Sequence, residues 1–144
     1  MDLTKSVGET LKRLYPDIAQ IRRNKLEQGH KPHSFYIRRG RVQSQNQFNR
    51  TQMRLYPFIL HYFPKEFAGG ATDQSETSCE EMAERLLTSF HYLNDYEAKI
   101  TNHSYEVHDG VLLFYFNIRM RTMLPKPEAT PMQSIEERGN LVDI

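Results

Sequence analysis

The chain has 144 residues, with 19 Lys and Arg against 18 Asp and Glu, and its 38% apolar share includes 8 Phe and 8 Tyr. That length suits one core, and the composition predicts a core that leans on aromatic rings more than on aliphatics. No apolar run approaches the ~20 residues of a membrane helix, the start Met1-Asp2-Leu3-Thr4-Lys5 lacks a signal-peptide pattern, and a single cysteine, Cys79, excludes an internal disulfide; synthesis in the cytoplasm without membrane contact is expected.

Leu3, Val7, Leu11 and Leu14 recur every three or four residues, which predicts an amphipathic helix weakened by Gly8 and ended by Tyr15-Pro16-Asp17. Ile18 to Asn24 reads as a short strand and Glu27 to His33 as a polar turn. In Ser34 to Gln43 the apolar Phe35, Ile37 and Val42 interleave with Tyr36, Arg38 and Arg41, the pattern of a strand interrupted at Gly40. A Gln- and Asn-rich loop, Ser44 to Arg50, leads to a long aromatic strand from about Thr51 to Phe63. Pro57 lacks a ladder donor and should mark an edge, a bulge or a bend.

After a loop containing Gly69-Gly70, the residues Cys79, Met82, Ala83, Leu86, Leu87 and Phe90 fall on one helical face, with Glu80, Glu81, Glu84 and Arg85 on the other. Ser78 and Glu81 offer a capping box for that helix. Asn94-Asp95 breaks it, a strand follows from about Ala98 to Val107, and Asp109-Gly110 supplies the positive φ of a hairpin turn. In the partner strand, Val111 to Met123, Leu112, Phe114, Phe116, Ile118 and Met120 point one way while Tyr115, Asn117, Arg119 and Arg121 point the other. Beyond Leu124, three prolines and scattered Ile135, Leu141 and Val142 cannot build a core. The expectation is an α+β domain over 1–123, with an antiparallel or mixed sheet of about five strands and two helices on one face, followed by an extended arm over 124–144.

The near-zero net charge hides a separation. From Arg22 to Arg54 nine basic residues face one acid, and from Asp73 to Asp109 nine acids face two basic residues, giving +8 and −7. A basic face meeting an acidic face on another copy accounts for both halves, and such a head-to-tail contact closes into a ring when its rotation permits. The basic side would be Arg22, Arg23, Arg38, Arg39, Arg41 and Arg54; the acidic side would be Glu80, Glu81, Glu84 and Asp109. The competing reading is a single-stranded nucleic-acid surface, since Arg38, Arg39 and Arg41 lie near Phe35, Tyr36 and Phe48. A sequence pI near 7.9 is low for a protein that neutralises many phosphates.

Catalytic and metal chemistry find little to attach to. His30 and His33 are close in sequence without a clustered carboxylate beyond Glu27 and read as solvated turn residues. Cys79 falls in the apolar stripe and is expected to be a small core residue, not a nucleophile. The chain carries no Gly-rich phosphate loop, nucleophile elbow or His-Glu-x-x-His segment, so neither enzyme activity nor a cofactor is expected.

The runs Leu14-Tyr15-Pro16-Asp17-Ile18, Leu26-Glu27-Gln28-Gly29 before Pro32, Ser34-Phe35-Tyr36-Ile37, Ile59-Leu60-His61-Tyr62-Phe63-Pro64 and Tyr105 to Leu112 occur in an order that resembles the phage tail terminator proteins of Gram-positive phages and defective prophages. The resemblance implies an α+β subunit that caps the tail tube as a homohexameric ring, ends tail polymerisation and offers a surface to neck or head-completion proteins, and in contractile particles to the sheath. It implies a place at the neck of the virion, with DNA passing through the lumen without specific recognition, and it carries no catalytic residues. Under this reading Met132, Ile135, Leu141 and Val142 are the contacts of the arm.

Overall fold

The structure, a computed structural model, describes residues 2–23, 31–66, 72–93 and 98–126. Helix α1 (Leu3–Leu14) is followed by β1 (Gln20–Arg22), β2 (Ser34–Arg39), β3 (Gln43–Asn46) and β4 (Thr51–Phe63), then by α2 (Asp73–Ser89), β5 (Lys99–His108) and β6 (Val111–Met123). The strands form one mixed sheet in the order β1-β2-β4-β6-β5, with β3 also on β4. β1 runs parallel to β2, and the remaining pairs are antiparallel.

Both helices pack on one face of this sheet, α1 over β1 and β2, α2 over β4, β5 and β6. The stripe expected in α1 is the buried one: Leu3, Val7 and Leu11 are in the core and Leu14 packs against it. The core is aromatic as the composition suggested, with Phe35, Phe58, Phe90, Phe114 and Phe116 all buried. In β6 the inward row is Leu112, Phe114, Phe116 and Ile118, so the alternation read from the sequence holds.

Several boundaries differ, each for a local reason. α2 begins at Asp73, earlier than the expected cap. Thr72 and Ser75 form the capping box, each side chain accepting the other's backbone N–H, and Ser78 instead donates to Glu66 at 3.0 Å. The expected strand from Ile18 is reduced to β1, and Asn24 lies outside the described residues. The expected strand Ser34–Gln43 is two strands, and the Gln- and Asn-rich stretch taken as loop contains β3, paired with Gln52–Leu55 of β4. A polar strand on a neighbour's edge carries no apolar alternation to reveal it. Val42, expected inward, is 45% exposed because it lies in the link between the two strands.

That link also explains Pro57. β4 is the central strand, yet β2 covers only Phe58–Phe63 and β3 only Gln52–Leu55, so Pro57 sits at the break between them. Its missing N–H breaks no ladder bond, and its carbonyl accepts from Gly40 at 2.7 Å. A Cβ on Gly40 would lie 3.0 Å from Pro57 Cγ. Gly40→Ala should therefore destabilise by about 1–3 kcal/mol through overpacking, read as a lower urea midpoint; an unchanged midpoint would show that the link can shift aside.

In β5 the period-two alternation slips. Ile100 and Tyr105 both face the helices although five residues apart, because a bulge between Thr101 and Ser104 places Asn102 at φ 56°. Asn tolerates this left-handed region better than most residues.

Candidate subunit interface

The expected charged residues are carried to separate regions of the subunit. β4 opens at Thr51 opposite Met123 and closes at Phe63 opposite Ser34, while β2 ends at Arg39 opposite Phe58, near the middle of β4. Arg38 and Arg39 stand at mid-sheet opposite Ile59 and Phe58, Arg41 lies in the link to β3, and Arg54 lies toward the Thr51 end. Lys99 and Arg119, which are paired in register, and Arg121 lie toward the same end as Arg54. The sequence reading left these three out, although the β6 alternation had already placed Arg119 and Arg121 on the solvent side.

Asp109 occupies the β5–β6 turn at the opposite end, at φ 51° with Gly110 at φ 76°. The N-terminal half of α2 lies against this turn, where Cys79 Sγ donates to the Gly110 carbonyl at 3.4 Å. Glu80, Glu81 and Glu84 are exposed on the outer side of α2. The charge separation along the sequence thus becomes a lateral one, with Arg22, Arg38 and Arg39 on β1 and β2 and Asp109 at the β6–β5 edge.

The six arginines do not share one face. Arg39 lies over the Phe58 ring at 5.6 Å on the helix side, where Arg54 Nε also donates to Gln52 Oε1 at 2.6 Å. Arg38 lies opposite Ile59, on the helix-free side. Arg22 is partly buried in β1, and Arg23 makes a two-pronged contact with Asp2 at 2.6 and 3.0 Å. Those hydrogen bonds hold the Asp2 carboxyl down at about 2, so Arg23 ties β1 to the N-cap of α1 as well as adding charge. The expected arm contacts Met132, Ile135, Leu141 and Val142 lie outside the described residues.

The helix-free face carries Pro57 and Ile59 alongside Leu113 and Tyr115, all of them half-buried. Tyr115 donates its hydroxyl to Glu106 at 2.8 Å, and this hydrogen bond raises the hydroxyl's pKa.

His33, read from the sequence as a solvated turn residue, is instead a bridge with a side chain only 12% exposed. Its Nδ1 is 2.8 Å from the hydroxyl of buried Tyr62 and its Nε2 is 3.1 Å from Asp17, and it holds φ 56°. The His33 hydrogen bond lowers the Asp17 pKa, so its stabilising contribution is present above the ordinary aspartate range and fades as pH falls through the lowered value. His30 is outside the described residues. Among the described residues no cluster of three or more His, Cys, Asp or Glu is arranged to hold a metal ion.

Cys79 is fully buried, and burial first, then Glu66, Glu76 and Glu80, pushes its thiol up to about 11. The folded state keeps this proton where the unfolded chain has lost it. Stability should therefore fall as pH rises from 9.0 towards about 11. A urea titration across that window should show a steeper decline for the natural chain than for Cys79→Ala; parallel declines would contradict the assignment.

A family model described as phage tail terminator protein matches residues 2–130 of the chain. No curated protein matches it.

Proposed function

The chain belongs to the phage tail terminator proteins, structural components of the phage tail, and on that premise we propose that it caps the tail tube as a closed homohexameric ring. In this reading the arginine-bearing end and flank of one subunit, including Arg22, Arg23, Arg38, Arg39, Arg41 and Arg54, meet Glu80, Glu81, Glu84 and Asp109 of the next. The observation that supports it is the separation of the two charged surfaces on one subunit, which a head-to-tail contact requires and a two-fold contact does not. The ring halts tube growth and presents a surface to neck or head-completion proteins, and to sheath in a contractile particle. DNA passes through its lumen, and the protein catalyses nothing and takes no cofactor. The domain over 1–123 forms the ring body, and the arm over 124–144 reaches a neighbouring protein through Met132, Ile135, Leu141 and Val142.

Electron microscopy of tube protein polymerised with and without this chain tests the reading. Tubes that stop lengthening with a ring at one end are the expected result; tubes of unchanged length without a ring would reject it.

One observation favours a second reading. Phe48, at the tip of the β3–β4 hairpin, is 91% exposed, and it lines a shallow hollow with Arg121. An exposed ring beside a cation is a platform on which a nucleic-acid base can stack. Retention on heparin with a steep salt slope, from a protein that stays monomeric, would favour this role over the ring.

A further inference from the structure

β2 is longer than the strand beside it. β1 pairs with Ser34–Tyr36 and stops at Arg22, and among the described residues no strand pairs with Ile37–Arg39 on that side. A groove of about 490 Å³ opens there, lined by Thr4, Arg23, Tyr36, Ile37, Arg38 and Arg39. It adjoins a hollow of about 170 Å³ that reaches Gly8 and Arg22.

Among the described residues the lining of this groove carries no acid. Three arginines line it and Arg22 lines the adjoining hollow; Asp2 is already held by Arg23, and the nearby Lys5 is paired loosely with Glu9 at 3.9 Å. The N-terminus of the twelve-residue helix α1 adds positive potential. Two buried polar atoms find no hydrogen-bond partner among the described residues: Oγ1 of Thr4, a residue only 4% exposed, and Nε of Arg22. Buried polar groups are rarely left so, and a ligand that accepts hydrogen bonds would satisfy both.

We propose that the groove receives residues 127–144 of the same chain. That segment carries Glu128, Glu136, Glu137 and Asp143 against one basic residue, Arg138, with apolar Ile135, Leu141 and Val142 between the charges. The segment can reach the groove: Leu124 donates its N–H to the Arg50 carbonyl at 2.6 Å, so the chain leaves the sheet beside Thr51, and Arg38 and Arg39 stand roughly 25 Å further along β4, opposite Ile59 and Phe58. β6 is two strand spacings from β2, ~10 Å, while eighteen extended residues reach up to ~60 Å. Tethering raises the local concentration to the millimolar range, which favours the chain's own segment over another copy's. The regulatory consequence rests on the ring reading: a docked arm covers Arg38 and Arg39, so it must leave before a neighbour's acidic surface can occupy them. The arm acts as a brake on premature ring closure.

A nitroxide on Ser134→Cys of the ¹⁵N-labelled full chain tests the docking, since buried Cys79 is shielded from the label. Amide signals of Thr4, Arg23 and Arg38 should lose most of their intensity and regain it when Glu136→Lys and Glu137→Lys are added. Undiminished signals would overturn the proposal. So would broadening that appears only when spin-labelled, isotopically silent chains are mixed with unlabelled ¹⁵N chains, since the arm would then dock on a neighbour. In the same double variant, without the label, the ring fraction should rise several-fold at fixed concentration, and an unchanged or lower fraction would overturn the brake. If no variant forms rings while the broadening persists, the ring reading fails and the docking stands.

Discussion

Phe116→Ala is expected to remove about 3–5 kcal/mol of folding free energy, the range for emptying a fully buried aromatic site. The ring is 1% exposed. It stacks on Phe58, its register partner in β4, with centroids 5.4 Å apart and planes 6° from parallel, and it meets Phe90 at the end of α2 edge-on at 5.0 Å. It therefore joins the two central strands to the second helix. Alanine would leave a cavity whose walls belong to three elements and cannot all collapse inward. Because a domain of this size holds only about 5–15 kcal/mol in total, the variant should unfold at much lower urea or not accumulate. Asn117→Ala, one residue along on the helix-free face, should change stability by no more than ~0.5 kcal/mol. Equal losses at the two positions would contradict the assignment of faces.

Arg38→Glu with Arg41→Glu is expected to weaken self-association by about a hundredfold or more, since opposing like charges across an interface cost several kcal/mol. Both residues are exposed. Circular dichroism and the urea midpoint should therefore stay close to those of the natural chain, while the mass measured by light scattering falls towards that of a monomer. Adding Glu80→Arg and Glu84→Arg to the same chain should restore association by exchanging the charges of the two surfaces. Association of the natural protein should weaken with salt, as expected of pairs that are solvent-exposed before contact. Unchanged mass in the first variant would refute the charge-matched ring, leaving family membership intact.

Much of the fold is legible in the sequence because its patterns are local. α1, β4, β6 and the Asp109-Gly110 turn lie where spacing, alternation and positive-φ chemistry put them, while α2 both starts and ends earlier than expected, at Asp73 and Ser89. β3 escapes such reading because Gln43–Asn46 is polar on both sides and gains its order from β4. His33 escapes because its partners, Asp17 and Tyr62, lie sixteen and twenty-nine residues away. Arg119 and Arg121 were visible as solvent-facing residues but not as neighbours of the strand that carries Arg54, a proximity created by the pairing of β6 with β4.

The sequence by itself determined the class of fold, the aromatic core, and the division of the chain into a basic and an acidic stretch, because each depends on composition or on a short repeat along one element. Only the tertiary structure decided where those charges stand. Strand order placed the arginines of β4 and β6 towards one end of the sheet and those of β2 at its middle, split them between its two faces and tied Arg23 to Asp2. The packing of α2 against the β5–β6 turn carried the carboxylates elsewhere. Charges add as a surface according to distance through space, and the separation that the sequence shows as a run of letters becomes a contact surface only once non-local pairing has fixed those distances.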